Sequence, residues 1–241
     1  MFDLAPKYIF GYINKLNDEK IFIEMFFRAI NLGVIQRTNK SNVLILNWKS
    51  QEFTVIGKEI ILNEELVINL TNLILRQLKL AKIIPTKLGL EKGNYRERSE
   101  GNIKAIVNNL VFHKWYYNQD NISVLDMTAD IIYRIAAINH PFTNGNKRTA
   151  LLSAGAFLDS VGLYLSFDRL QTKTNYLDQW ENFMVEIAKS REIKETEDEV
   201  LSKIKNRLFQ SIEINFNENM IWPKKIKTNT DKEMQNEEFE F

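Results

Sequence analysis

Apolar residues recur along most of the chain at the three- to four-residue spacing of amphipathic helices. This spacing predicts helices over 18–32, 64–82, 101–115, 122–139, 147–165, 176–189 and 195–209. Two short runs, 42–48 and 53–56, have a β-like composition instead and flank a polar tetrapeptide. Those two runs predict a β-hairpin in the N-terminal part of the chain.

The predicted fold class is therefore mainly α: a helical bundle with a small N-terminal α/β extension of one helix and a hairpin. We expect an extension over 1–60, a helical domain over 61–210, and a polar, mobile C-terminal tail over 211–241. A helix followed by a hairpin also occurs in winged-helix modules. One helix is not a recognition motif, so a structural or partner-docking role for the extension is favoured.

Composition excludes several classes of protein. The 241 residues carry 32 Lys and Arg against 31 Asp and Glu, which argues against coating nucleic acid or an anionic membrane. The absence of cysteine excludes disulfides, thiolate zinc sites and cysteine nucleophiles. Only His113 and His140 could supply imidazole ligands. We see neither an apolar run near the ~20 residues of a membrane span nor a secretory signal, so a cytoplasmic location is expected.

Candidate chemistry is concentrated in the segment 140–151, HPFTNGNKRTAL, which joins the two most apolar predicted helices. His140 precedes a proline, so the first helix should end there. Asn144-Gly145 is a strong turn signal, and Asn146 is the predicted N-cap of the second helix. The unpaired N–H groups at the start of that helix form an anion site.

Two cations, Lys147 and Arg148, fall in the first turn of the second helix. The helix dipole disfavours them there by up to ~1 kcal/mol, which makes sense if an anion binds. Arg148 can hold phosphate oxygens in a bidentate manner, and His140 on the opposite side of the loop can accept a proton. These groups are what transfer of a phosphate-containing group to a hydroxyl requires. The alternative interpretation is a purely structural turn with a core histidine.

The segment resembles the signature of the Fic/Doc superfamily, whose pattern is His-Pro-Phe-x-Asp/Glu-Gly-Asn-Gly/Lys-Arg. The matching residues are His140, Pro141, Phe142, Gly145, Asn146 and Arg148. The run 146–151, Asn-Lys-Arg-Thr-Ala-Leu, is similar to the death-on-curing (Doc) toxin branch. In this family the loop lies between two central helices of an all-α core.

The resemblance implies a role for each matching residue. His140 would be the base that activates the target hydroxyl, and Phe142 would be buried to fix the loop. Arg148 would bind phosphate and stabilise the charge that develops during transfer. Nucleotide or phosphate binding is assigned to Gly145, Asn146, Lys147 and Arg148.

Two positions favour the Doc branch over the AMP-transferring Fic branch. Lys147 stands where Fic enzymes have glycine, and Leu151 stands where AMP-transferring members usually carry a second arginine. The resemblance therefore favours a toxin kinase that transfers phosphate from ATP, with transfer of AMP as the alternative. Asn144 occupies the family's acidic Mg²⁺ position without a charge. This leaves a third possibility, a degenerate module that only binds.

The resemblance also implies contacts outside the loop. Segment 91–100 lies where family members carry a flap that holds the target chain, which makes Tyr95, Arg96 and Arg98 candidates for contacting target or nucleotide. An ordinary charged loop is the alternative. The expected co-substrate is ATP with Mg²⁺, and the expected protein target is a translation factor such as elongation factor Tu. A separate antitoxin protein is the expected partner.

Overall fold

The computed structural model describes residues 7–40, 43–46, 51–87, 94–166 and 176–214. The helices are α1 (Lys15–Asn31), α2 (Glu64–Lys87), α3 (Asn102–Asn109), α4 (Tyr116–Asn118), α5 (Val124–Tyr133), α6 (Asn146–Ser160), α7 (Tyr176–Lys189) and α8 (Glu197–Ser211). The strands are β1 (Lys7–Tyr12), β2 (Ile35–Arg37), β3 (Val43–Leu46), β4 (Gln51–Glu59), β5 (Leu163–Leu165) and β6 (Ile212–Ile214). Two π-helical turns, Leu110–Trp115 and Arg134–Ile138, continue α3 and α5. The prediction of a mainly helical fold with a small N-terminal sheet region is confirmed.

The N-terminal sheet has the strand order β1-β4-β3-β2. Its β3 and β4 are antiparallel, with Val43 opposite Thr54, and form the predicted hairpin. The sequence pattern did not predict β1 and β2. Strand β1 pairs in parallel with β4, so Lys7 also faces Thr54 across a long sequence separation. Such a non-local pairing leaves no turn signal in the sequence.

The helix predicted over 147–165 is wrong at its C-terminal end, because α6 stops at Ser160. Gly162 then adopts a φ of +90°, and a Cβ at this position would lie 2.7 Å from the carbonyl oxygen of Ile9 in β1. The chain continues into β5, which pairs antiparallel with β6. Close approach of β1 therefore ends the helix. The predicted tail begins with the end of α8 and with β6, and residues 215–241 lie outside the described residues.

Helix α5 lies at the centre of the bundle. All of its residues except Asp126 are buried, and it packs against α6 and α8 while α2 packs on the other side of α6. The hydrophobic core is continuous from Tyr8 in β1 to Ile214 in β6. In the described part of the chain, no helix is both long and apolar enough to cross a bilayer.

An ionic network around the buried Asp130 fixes the C-terminal half of α5. Asp130 accepts hydrogen bonds from Lys114 Nζ (2.7 Å) and Trp115 Nε1 (2.8 Å). Lys114 also binds Glu197 of α8 (2.6 Å), which in turn accepts a hydrogen bond from Arg134 Nη2 (3.1 Å). Burial raises the pKa of Asp130, although its bond to Lys114 opposes this. The network holds α8 and both π-helical turns against α5, just before the chain enters the 140–151 segment.

A second buried carboxylate, Asp18, joins the N-terminal extension to α5. Its Oδ2 accepts hydrogen bonds from the N–H groups of Ile13 (2.8 Å) and Asn14 (3.2 Å) at the start of α1. Its Oδ1 accepts a hydrogen bond from the N–H of Val124, the first residue of α5 (2.9 Å). One side chain therefore satisfies backbone donors at the N-termini of two helices. Burial outweighs these hydrogen bonds and raises the pKa of Asp18 to about 6.

The raised pKa of Asp18 predicts a pH-dependent contribution to stability. The folded protein keeps a proton on Asp18 up to about pH 6, whereas an unfolded chain releases it near the ordinary value of 3.8. Between these values the folded state binds more protons, so stability falls as pH rises. Relative to Asp18→Asn, the free energy of unfolding of the parent should fall by up to about 3 kcal/mol between pH 4 and pH 7. Urea unfolding of both proteins across this range measures the difference.

The comparison with Asp18→Asn cancels the contribution of Asp130, which titrates in both proteins. The placement of Asp18 would be contradicted if the free energy of unfolding of the parent, relative to that of Asp18→Asn, stayed constant or rose with pH.

Candidate active site

The loop between the Arg134–Ile138 turn and α6 is held from inside by Phe142 and Asn146. The Phe142 ring is fully buried. Asn146 Oδ1 accepts a hydrogen bond from the N–H of Phe142, and its Nδ2 donates one to the Phe142 carbonyl, both at 2.9 Å. Both polar atoms of the Asn146 amide are thus bound to the loop backbone. The second N–H of Nδ2 and the backbone N–H are therefore the donors with which Asn146 could contact a phosphate.

The start of α6 differs by one residue from the prediction. Gly145, with a φ of +76°, is the N-cap, and Asn146 is the first helical residue. The predicted cap at Asn146 is wrong because its side chain is turned back onto Phe142. Among the residues that the structure describes, no side chain caps the first-turn N–H groups of α6. Those N–H groups are thus available to an anion.

A segment that we call the flap segment, residues 94–98, is paired with this loop. The N–H of Arg98 donates to the Pro141 carbonyl (2.8 Å), and the N–H of Thr143 donates to the Arg96 carbonyl (2.9 Å). These two bonds enclose an antiparallel bridge between Glu97 and Phe142. The flap segment therefore forms a short β-pairing with the 140–151 segment. An ordinary independent loop would not show this pairing.

The three flap residues named from the sequence contribute in different ways. The Arg96 side chain is exposed, and its backbone carries the pairing to Thr143. Arg98 Nε donates a hydrogen bond to the Phe142 carbonyl (3.2 Å). Tyr95 is half-buried, and its ring lies against Gly145 so closely that a Cβ at Gly145 would lie 2.4 Å from Tyr95 Cε1.

Arg148 is held by two neutral acceptors. Its Nη1 donates to the carbonyl of Ala81 in α2 and to the hydroxyl of Tyr95, both at 3.1 Å. The neighbouring Lys147 is exposed. The two predicted phosphate-binding cations thus differ: Arg148 is anchored beside the N-terminus of α6, while Lys147 extends into solvent.

His140 lies at the beginning of the loop in a strained conformation. Its φ of +41° is uncommon for a residue other than glycine, and such strain costs about 1–3 kcal/mol. Burial lowers the pKa of His140, and the positive charges of Arg98, Lys147 and Arg191 lower it further. A backbone hydrogen bond at Ala137 acts in the opposite direction. At neutral pH the imidazole is therefore uncharged, and it has one nitrogen free to accept a proton.

Arg191 is a residue of the site region that the sequence did not indicate. It lies in the turn between α7 and α8, about fifty residues after His140. No local pattern marks it, because the packing of α7 against α6 and the Arg134–Ile138 turn brings it near. With Arg98 and Lys147, it makes the surroundings of His140 cationic in a chain whose net charge is only +1.

The predicted metal position does not offer the ligands that Mg²⁺ prefers. Asn144 Oδ1 accepts a hydrogen bond from the N–H of Gly145 (2.7 Å). Among the described residues, no three His, Asp or Glu side chains lie close enough together to hold a metal ion. Mg²⁺ depends on carboxylate and phosphate oxygens. The residues present therefore do not fit a metal held by the protein alone.

The candidate site lies in a part of the chain that matches a known protein family. Residues 61–158 match the model of the Fic/DOC family, and the match includes the flap segment, the loop and most of α6. Neither the curated proteins nor the solved structures contain a match to the chain. The match includes His140, Gly145 and Arg148 and supports the Fic/Doc superfamily that the resemblance indicated.

Proposed function

We propose that this protein is a Doc-like enzyme that transfers phosphate from ATP to a hydroxyl of a protein target. The observation that carries the proposal is the arrangement of one short loop. A neutral imidazole, His140, lies at its beginning, and the uncapped N-terminus of α6 with Arg148 lies at its end. The family match supports a Fic-type transferase at the family level.

The residues would divide the transfer step between them. The N–H groups at the start of α6 and the Arg148 guanidinium would bind the phosphates of ATP. The hydroxyl oxygen of the target would attack the γ-phosphorus while its proton passes to His140. An oxygen–phosphorus bond forms, the bond to the β,γ-bridging oxygen breaks, and ADP leaves. Mg²⁺ belongs to the proposal as a companion of the ATP phosphates, and no step depends on a protein-held metal.

Two side chains favour transfer of phosphate over transfer of AMP. Lys147 is exposed at the first turn of α6, where its length would hinder the close backbone approach that glycine allows. Leu151 is partly buried against the hydrophobic core, so the position of the second arginine carries no cation. In the AMP alternative, the hydroxyl would attack the α-phosphorus and pyrophosphate would leave. The neutral Asn144 supports the third possibility, a module that binds without transferring.

The proposed setting follows the resemblance to Doc toxins. The target would be a translation factor such as elongation factor Tu, and a separate antitoxin protein would neutralise the enzyme. A cytoplasmic location belongs to the same proposal. The near-neutral net charge of +1 favours protein partners over nucleic acid or a membrane surface.

Labelling with two forms of ATP tests the reaction. Purified protein and a bacterial lysate are incubated in parallel with α-labelled and γ-labelled ATP and Mg²⁺. We expect a protein band labelled only from γ-labelled ATP. His140→Ala should lower the labelling at least about 100-fold, because the base is lost. Labelling from α-labelled ATP would instead establish AMP transfer, and the absence of both labels with the parent would contradict transferase activity.

Restoring a carboxylate tests whether the neutral Asn144 limits activity. Asn144→Asp adds a charged Mg²⁺ ligand, so the Mg²⁺ concentration that gives half-maximal labelling should fall about tenfold. Asn144→Ala, which removes the oxygen without adding charge, serves as the control. An unchanged Mg²⁺ dependence and rate in Asn144→Asp would show that the metal position is not limiting.

Burial and then the positive charge of Arg98 lower the pKa of His140. Arg98→Gln removes this charge and should raise the pKa of His140 toward its ordinary value, whereas Arg98→Lys should leave it nearly unchanged. Nuclear magnetic resonance can follow the imidazole signals directly. The chain has only two histidines, and a His140→Ala spectrum assigns them.

Equal pKa values for His140 in the parent and in Arg98→Gln would contradict the electrostatic account. A shift of the same size in Arg98→Lys would contradict it as well, because the two variants differ in charge at this position.

A further inference from the structure

Tyr95 is the side chain that joins the flap segment to the phosphate-binding end of the loop. Its ring covers Gly145, and its hydroxyl accepts a hydrogen bond from Arg148 Nη1 at 3.1 Å. The ring can lie there because residue 145 has no Cβ, which would otherwise overlap the ring at 2.4 Å. The β-pairing of Arg96 and Arg98 with the loop holds the Tyr95 backbone in place.

The acceptors of Arg148 are chemically informative because both are uncharged. A carboxylate would neutralise the guanidinium and compete with a phosphate for it. A phenol oxygen and a backbone carbonyl instead fix the direction of Nη1 without neutralising the positive charge, and these are the acceptors that the described residues offer to Arg148. Arg148 has donors on Nε and Nη2 as well, in the fork geometry that suits phosphate oxygens.

Fixing the guanidinium in advance has a physical benefit. A free arginine side chain on a helix surface loses rotamer entropy when it is ordered by a ligand. Here the contacts with Tyr95 and Ala81 order it before the ligand arrives. Binding energy is then not used to orient the cation.

We propose that Tyr95 is a positioning residue, which acts through Arg148 by holding its guanidinium ready for the phosphates of the nucleotide. This inference rests on the proposed function, since it takes ATP as the ligand of Arg148. It adds a residue from the flap segment, outside the 140–151 signature, to the phosphate-binding machinery. In this role Tyr95 contributes to binding of the nucleotide and not to holding the target chain.

The test compares Tyr95→Phe with the parent protein in two measurements. Direct titration gives the dissociation constant for ATP, which does not require transfer, and labelling kinetics give kcat and KM. Tyr95→Phe keeps the ring over Gly145 and removes only the acceptor for Arg148. We expect about tenfold weaker ATP binding, with a matching rise in KM, since a hydrogen bond to a charged group is lost. Thermal unfolding should be nearly unchanged.

A matched control is Tyr117→Phe, in α4 at the opposite end of α5, where the side chain is 75% exposed. This variant should bind ATP like the parent. The same Tyr95→Phe change is also made in an Arg148→Ala background and titrated to millimolar ATP. It should have no further effect there, because Tyr95 acts through Arg148.

Three results would overturn the role of Tyr95. ATP binding could be unchanged or tighter in Tyr95→Phe, or Tyr95→Phe could weaken ATP binding equally in the parent and in the Arg148→Ala background.

A failure of the proposed function alone would give a different result. If the parent binds ATP and Tyr95→Phe weakens this binding, but neither label is transferred, the positioning role holds and the transferase does not. Parent protein that does not bind ATP would overturn both.

Discussion

The site depends on the hydrogen bonds that Asn146 makes with the backbone of Phe142. This pair closes the loop on itself, and the buried Phe142 ring attaches the closed loop to the core. The loop cannot change shape without exposing the ring and leaving backbone groups unpaired, which is costly in a buried setting. The backbone between Phe142 and the start of α6 is therefore held in one conformation. His140 precedes this segment by two residues.

The flap segment also acts on His140 and Arg148. It is paired with the loop backbone, so Tyr95 and Arg98 keep a constant position relative to His140 and Arg148. Arg98 lowers the pKa of His140 through its charge, and Tyr95 binds Arg148 through a neutral oxygen. The flap segment therefore acts on the imidazole and on the guanidinium by different physical means. Neither effect requires the flap segment to move.

The sequence predicted what is encoded locally. Helical periodicity located the main helices, a polar tetrapeptide located the hairpin, and the 140–151 segment indicated the candidate site. What it did not predict depends on contacts between distant parts of the chain. The pairing of β1 with β4, the approach of β1 to Gly162 and the placement of Arg191 near His140 are of this kind.

The role of Asn146 shows a subtler limit of sequence reasoning. An asparagine after a turn is a good N-cap on average, but here a buried phenylalanine four residues earlier offers its side chain better partners. The Ala81 carbonyl, which holds Arg148, could not be predicted either, because any residue type would supply it. Backbone groups that serve a site are visible only when the packing of the helices is known.

The contacts of the buried Asp18 carboxylate show that the family match and the packed structure around it begin at different residues. The family match begins at residue 61, yet the first N–H of α5 is satisfied from α1, well before that point. The carbonyls of Val161 and Gly162 are likewise bound by Gly11 and Tyr8 of β1. A chain that began at residue 61 would lack Asp18, Gly11 and Tyr8, and would leave these groups unpaired or expose the core around them. The segment that matches the family model is thus smaller than the packed unit that contains it.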